Sequence, residues 1–210
     1  MTDASKFSNL TKVPDEPAAK VLTRANAVLQ TPLEAPASAS IAEVLVELDA
    51  KDALIDMLML LAHSLPVRQV TWWACLAARD TIPQGAPVPS ALKAAEAWVY
   101  KPGTETRTLA REAFDSASNE DETVLCAMAA SFADGTLGPG ELEDYEAPPG
   151  AVGGAAFGMA LVSLFQDEAQ VEVRGDLLLE RALDIARGGS GNIIMNQETR
   201  SFEPSQEVTS

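Results

Sequence analysis

The sequence is poor in aromatic residues and in cysteine, and each scarcity excludes a class of protein. Aromatic residues make up 5% of the 210 residues, whereas 35 residues are alanine. Because alanine is the best helix former and a poor strand former, this composition favours packed helices over a sheet. Two cysteines, Cys75 and Cys126, are too few for a disulfide scaffold, and both lie in apolar helical contexts. We therefore expect an all-α fold with two buried free thiols.

Basic residues are also scarce, which limits the partners that the chain can bind. Fifteen Lys and Arg stand against 31 Asp and Glu, so the formal net charge at pH 7 is −16. Affinity for nucleic acid comes mainly from basic side chains that neutralise phosphates, and anionic membranes repel an acidic chain in the same way. The sequence therefore predicts an acidic protein that binds a protein partner and no nucleic acid.

Long apolar runs are absent as well. The longest, residues 53–61, is interrupted by Asp56 and is shorter than the ~20 residues that cross a bilayer. The first residues are polar and lack the apolar core of a secretory signal. We expect no membrane insertion and a cytoplasmic location.

Histidine occurs once, as His63, and this removes most catalytic and metal-binding arrangements. One histidine cannot form a multi-histidine zinc site, and a cysteine nucleophile would need it beside Cys75 or Cys126. No serine-hydrolase elbow, phosphate-binding loop, HExxH motif or EF-hand loop is present. The glycine-rich run at 150–158 lacks the strand and the spacing of a dinucleotide-binding loop, so we interpret it as a helix-packing segment. The sequence predicts no catalytic, cofactor-binding or metal-binding residue, and hence no enzyme.

Helical periodicity and capping signals divide the chain into three parts. Residues 1–39 are predicted to be a polar segment with a short docked helix at about 18–29 and a linker. Residues 40–188 are predicted to be a helical domain that begins at a capping box and ends at Gly188. Residues 189–210 are polar and predicted to be a disordered, flexible tail.

Seven to eight antiparallel helices are expected, in a compact bundle or a short HEAT-like stack. A weak sequence similarity between the segments around Cys75 and Cys126 suggests the HEAT-like stack. The helices of the domain are predicted at about 41–48, 52–65, 66–78, 90–100, 104–117, 120–133, 151–165 and 173–186.

The negative charge is concentrated in residues 101–150, which hold eleven acidic and three basic residues. The simpler interpretation is solubility and favourable placement of acids at helix N-termini. The alternative is an acidic surface for a basic partner, with Glu141, Glu143 and Asp144 as the candidate residues. A calcium site is a third interpretation, although the sequence has no EF-hand spacing.

Three tryptophans and one apolar run in the tail are further candidates for partner binding. Trp72 and Trp73 are adjacent and diverge by about 100° around a helix, so they cannot both face one core. The second faces a neighbouring helix or a partner groove, where Trp is a favoured anchor. Trp98, together with Tyr100, is open to both interpretations. The tail run Asn192–Asn196, with Ile193, Ile194 and Met195 as its candidate residues, is either a short docking segment or a cluster that packs back on the domain.

Several motifs together resemble a known family. They are LAHSLP at 61–66, WWACLAAR at 72–79, ALKAAEAWV at 91–99 and LDIARG at 183–188. As a set they resemble a bacterial all-helical family of unknown function, over about residues 18–188. The resemblance implies no catalytic residues, because that family has no established activity. It implies an accessory role, since such proteins are often encoded near type VI secretion genes.

The combined expectation is a non-catalytic, adaptor-like interaction protein, linked through the resemblance to a bacterial secretion system. One alternative is an immunity-like protein whose acidity would match and attract a basic effector. A less favoured one is a small-molecule binder or enzyme with its site between helices. The sequence leaves the oligomeric state open.

Overall fold

The computed structural model describes residues 4–196 and 201–204 and confirms the all-α prediction for them. No helix in these ranges is both long and apolar enough to cross a bilayer. The α-helices are α1 (Ala18–Arg24), α2 (Ile41–Ala50), α3 (Leu54–Ser64), α4 (Val67–Arg79), α5 (Ser90–Tyr100), α6 (Thr104–Ser116), α7 (Val124–Ser131), α8 (Ala151–Phe165) and α9 (Val171–Arg187). Short 3-10 helices lie at Ala4–Phe7, Gly140–Asp144 and Glu168–Gln170, and strands β1 (Ile193–Asn196) and β2 (Ser201–Pro204) form one antiparallel hairpin.

Local signals set the ends of several helices. At the start of α2 the Ser40 hydroxyl accepts a hydrogen bond from the Glu43 amide at 3.3 Å, and the Glu43 carboxylate accepts one from the Ser40 amide at 2.7 Å. This confirms the predicted capping box. The predicted stop of α9 is also confirmed, because Gly188 is left-handed with φ 100°. The start of α7 was predicted at residue 120 but lies at Val124, because the Asp121 side chain accepts hydrogen bonds from Thr123 and forms a turn there.

Helix α8 lies at the centre of the bundle and packs against α3, α4, α7 and α9. In a HEAT-like stack each unit contacts only its neighbours in sequence, so contacts between distant helices such as α4 and α8 identify a bundle. The close approach predicted for the glycine-rich helix occurs at Gly153. A Cβ there would collide with the His63 ring and lie 2.8 Å from the Ala62 carbonyl oxygen.

The N-terminal segment is docked along the bundle. Phe7 is buried in the core, and the carboxylate of buried Asp56 accepts hydrogen bonds from the amides of Gln30 and Thr31 at 3.0 and 2.7 Å. The predicted short helix is present as α1, but it is shorter than residues 18–29. It ends early because Asn26 is left-handed, with φ 51°.

Within the tail predicted from residue 189, residues 189–192 form a turn on α9, and residues 193–196 and 201–204 form the hairpin β1–β2. The Asp184 carboxylate accepts a hydrogen bond from the Gly191 amide at 2.8 Å. Gly191 has φ 70°, and a Cβ there would lie 2.7 Å from Ile185 Cδ1, so glycine lets the chain lie directly on α9. The polar composition does not reveal this contact, because the contact depends on the left-handed backbone of Gly191. Residues 197–200 and 205–210 of the predicted tail lie outside the described residues.

Candidate functional site

A groove of about 710 Å³ lies between α4, α5, the end of α9 and the chain that follows it. Its volume falls within the range of ligand-binding clefts, roughly 300–1,000 Å³. The lining combines apolar side chains with amide and charged groups. It consists of Arg68, Gln69, Trp72, Leu76, Arg79, Glu96, Val99, Tyr100, Ile185, Gly189, Ser190 and Asn192.

The apolar part of the groove has a fixed base and an exposed rim. Leu76 and Ile185 are buried in the core and form the base. Trp72 is half-buried, and its indole Nε1 donates a hydrogen bond to the Ser190 carbonyl oxygen at 2.6 Å. Tyr100, the last residue of α5, is 87% exposed. Two aromatic side chains thus present exposed surface above a base of buried core residues.

One wall of the groove is the turn after α9, residues 188–192. Trp72 and Asp184 hold this turn by the hydrogen bonds described above. A Cβ at Gly189 would collide with the Asp184 carboxylate, so the turn depends on glycine there as well. The sequence presented Trp72 and the tail as separate candidates, and the structure brings them together.

The two arginines of the groove differ in how their charge is matched. Arg79 forms a bidentate ion pair with Glu96, with both N–O distances 2.6 Å, and this pair raises the pKa of Arg79. Arg68 instead donates to the backbone carbonyl oxygens of Val99 at 2.6 Å and Tyr100 at 3.4 Å. No carboxylate of the described residues forms an ion pair with Arg68. The groove therefore contains one matched and one unmatched arginine.

Two of the three candidate tryptophans are core residues. Trp73 is fully buried and its indole donates to the Leu178 carbonyl oxygen at 3.0 Å. Trp98 is 7% exposed and packs in the same core. Both side chains therefore have little surface exposed to a partner. The adjacent tryptophans face different sides of α4, as their divergence of about 100° around the helix predicts. Trp73 faces the core and Trp72 faces the groove.

The acidic candidates lie on the 3-10 helix Gly140–Asp144, and none of them lines the groove. Buried Arg107 forms an ion pair with Asp134 and lies 3.7 Å from a Glu143 oxygen, so Glu143 is partly matched within the chain. Glu141 and Asp144 are exposed and form no ion pair within the described ranges. Of the predicted acidic surface, Glu141 and Asp144 are thus exposed without an ion pair among the described residues, and both lie outside the groove lining.

The tail candidates follow the groove wall directly. Ile193 is half-buried, and its carbonyl oxygen accepts a hydrogen bond from Arg181 at 3.2 Å. Ile194 is 50% exposed. The backbone of Met195 lies in β1, but its side chain lies outside the described residues. This run partly packs back on the domain and partly extends the exposed rim.

The two cysteines and the single histidine lie outside the groove lining. Cys75 and Cys126 are fully buried, and the hydrogen bond with Cys126 together with burial raises the pKa of Cys75, opposite to what a thiolate nucleophile needs. His63 is half-buried beside Gly153 in a separate cleft of about 350 Å³, and burial lowers its pKa. Among the described residues, no cluster of three His, Cys, Asp or Glu side chains could hold a metal ion.

Sequence reasoning considered Tyr100 together with Trp98, and Asn192 within the tail run, but it did not identify Arg68 as a site residue. A signal for this arginine existed, since Arg68, Trp72 and Leu76 are spaced by four residues and share one face of α4. The tail run that contains Asn192 was a candidate from sequence, but its place in the groove depends on the turn after α9.

Comparison with known proteins gives a family and no function. No curated protein and no solved structure matches the chain. The sequence model of the family of unknown function DUF6931 matches residues 44–186, a range that includes Arg68, Trp72 and Tyr100 but not the turn after α9. Because the match covers more than half of the chain, this protein belongs to DUF6931, a family of unknown function.

Proposed function

We propose that this protein is a non-catalytic, adaptor-like interaction protein that binds a protein partner in the groove between α4, α5 and the turn after α9. The observation that carries the proposal is the pairing of half-buried Trp72 with the highly exposed Tyr100 over a fixed apolar base. Trp and Tyr supply much of the binding energy at protein interfaces, because they bury large areas with few rotatable bonds.

The chemistry of the groove supports binding over catalysis. Its lining contains neither histidine nor cysteine, and Glu96 is engaged in the ion pair with Arg79. A general base needs a proton acceptor that is free to reach a substrate. A cytoplasmic location is part of the proposal, and the two free thiols are compatible with a reducing compartment. The resemblance to proteins encoded near type VI secretion genes supports an accessory role in such a system.

A second candidate function is neutralisation of a basic effector through the acidic surface. The observation that favours it is that Glu141 and Asp144 are exposed and lack an ion pair within the chain described. Residues 101–150, with eleven acidic and three basic residues, would also steer a basic partner toward this surface.

The two tyrosines of the chain provide a matched test. Tyr100 is 87% exposed beside the groove, and Tyr145 is 60% exposed next to the acidic 3-10 helix, so alanine at either position should leave folding intact. The wild type, Tyr100→Ala and Tyr145→Ala are used for affinity capture from native lysate, with quantitative mass spectrometry of the bound proteins.

Loss of a specific partner only in Tyr100→Ala is the result expected for the groove, with a decrease of roughly tenfold or more. Loss only in Tyr145→Ala, and capture of a basic protein, would support the neutralising function instead. A partner retained by both variants would contradict both proposals. Thermal unfolding of each variant checks that the fold is preserved.

A further inference from the structure

We propose that the groove recognises one acidic side chain of an extended partner segment, next to an apolar side chain, with Arg68 as the residue that binds the carboxylate. This inference rests on the proposed function, because it names the chemistry of the segment that the groove accepts. It follows from the position of Arg68, from the charges around it and from the apolar surface at its side.

Arg68 is held in place and still has donors to offer. A guanidinium has five N–H donors in a planar fork. The Nε donor binds the Val99 carbonyl oxygen, and one Nη2 donor binds the Tyr100 carbonyl oxygen. The other donors have no partner among the described residues. Because the two carbonyl oxygens fix the orientation of the fork, a carboxylate would bind with little further loss of side-chain entropy.

The charge balance of the groove points to an acidic ligand group. Glu96 matches the charge of Arg79, so Arg68 is the cation of the groove lining that lacks an acidic partner. The C-terminal end of α5 contributes only a partial negative charge, about half of an elementary charge. A carboxylate is therefore the complement that the groove itself does not provide.

The charge of the whole molecule limits that ligand to one or few carboxylates. With a net charge of −16, the chain repels a polyanion such as nucleic acid or a run of acidic residues. A single carboxylate flanked by neutral residues experiences this repulsion least. The local cation and the global charge together favour a mostly neutral segment with one acidic residue.

The remaining groove surface fits an apolar residue on an extended backbone. Trp72 and Val99 are half-buried next to Arg68, and Leu76 and Ile185 close the base. The amide side chains of Gln69 and Asn192 can both donate to and accept from a peptide backbone. A chain terminus is the less suitable source of the carboxylate, because such sites use converging backbone N–H groups, whereas carbonyl oxygens surround Arg68.

The test uses the full chain and four short synthetic peptides. Three are blocked at both ends and have the sequence acetyl-Gly-Leu-X-Leu-Gly-amide, with X as Glu, Gln or Lys. The fourth has X as Gln and a free C-terminal carboxylate. Binding is followed by NMR through the three tryptophan indole N–H signals. Trp73 and Trp98 are buried and serve as internal references for Trp72.

We expect the Glu peptide to shift the Trp72 signal and to bind on the order of tenfold more tightly than the Gln peptide, with the Lys peptide weakest. The Arg68→Gln variant should bind the Glu and Gln peptides equally. Arg24→Gln is the matched control, because Arg24 is an arginine that lies outside the groove lining, and this variant should keep the preference. The comparison of peptides on the wild type stands even if Arg68→Gln does not fold.

Equal binding of the Glu and Gln peptides to the wild type would overturn the inference, and so would a preference that persists in Arg68→Gln. If the peptide with the free C-terminal carboxylate binds more tightly than the blocked Glu peptide, the inference is also overturned, in favour of a terminal carboxylate. If no peptide shifts Trp72, the inference fails, whereas the proposed function fails only if Tyr100→Ala retains the captured partner. The two failures are thus distinguishable.

Discussion

At the scale of single residues, the side of a helix that a side chain occupies decides whether it lines the groove or the core. Trp72 and Trp73 are neighbours in sequence, yet one lines the groove and the other is fully buried. Arg68 shares the groove face of α4 with Trp72 because four residues separate them. The same side chain would be an ordinary surface arginine if the end of α5 did not supply two carbonyl oxygens to orient it.

The single histidine makes the stability of the fold depend on pH in a defined direction. Burial lowers the pKa of His63, so in the weakly acidic range the unfolded chain binds more protons than the folded one. The stabilising contribution of neutral His63 is fully present above the unfolded pKa of about 6.5 and decreases as the pH falls below it. We expect His63→Gln to lose less of its free energy of unfolding than the wild type does between pH 7.5 and pH 5.5.

Urea unfolding of both proteins at the two pH values measures this difference. Acidic groups with a lowered pKa, such as Glu43 and Glu47, act at a lower pH and act equally in both proteins. An identical pH dependence in the wild type and in His63→Gln would mean that the histidine is solvated in the folded state.

At the scale of elements, the close contact between α3 and α8 depends on one of two adjacent glycines. A Cβ at Gly153 would collide with the His63 ring, whereas a Cβ at Gly154 would meet no atom within 4 Å. We expect Gly153→Ala to lower the free energy of unfolding by about 1–3 kcal/mol, because the helices must move apart. Gly154→Ala should raise it by up to about 1 kcal/mol, since alanine is the better helix former at an open position.

Thermal and urea unfolding of the two variants provide the comparison, and each variant is the control for the other. A loss of stability of the same size in both would show that the effect comes from the start of α8 and not from the contact with His63.

The elements that sequence predicted are those whose signals are local. The Ser40 cap and the Gly188 stop act within one turn of their helices, and both were predicted correctly. The turn after α9 was not predicted from its polar sequence, because its conformation depends on hydrogen bonds with Asp184 and with Trp72, which is more than a hundred residues away. The groove was missed for the same physical reason. It forms where α4, α5 and that turn meet, and no short stretch of sequence contains it.

At the scale of the whole molecule, internal ion pairs match only part of the negative charge. Arg181 bonds to Asp80 at 2.5 Å and so links α9 with the end of α4, and Arg107 pairs with Asp134. Such pairs link elements of the fold, but acidic residues outnumber basic ones and the formal net charge is −16. Repulsion between the unmatched acids destabilises the compact state.

This repulsion predicts that added salt stabilises the fold. Raising the NaCl concentration from about 0.02 M to about 0.5 M shortens the screening length well below its value of about 10 Å at 0.1 M. The screening weakens long-range repulsion more than the short ion pairs of buried arginines, so we expect the Tm to rise by a few degrees.

The double variant Glu141→Gln with Asp144→Asn removes two exposed unmatched charges, and it should have a higher Tm at low salt and a smaller increase in Tm on addition of salt. Differential scanning calorimetry measures both, and a Tm that falls with salt would mean that ion pairs outweigh the repulsion.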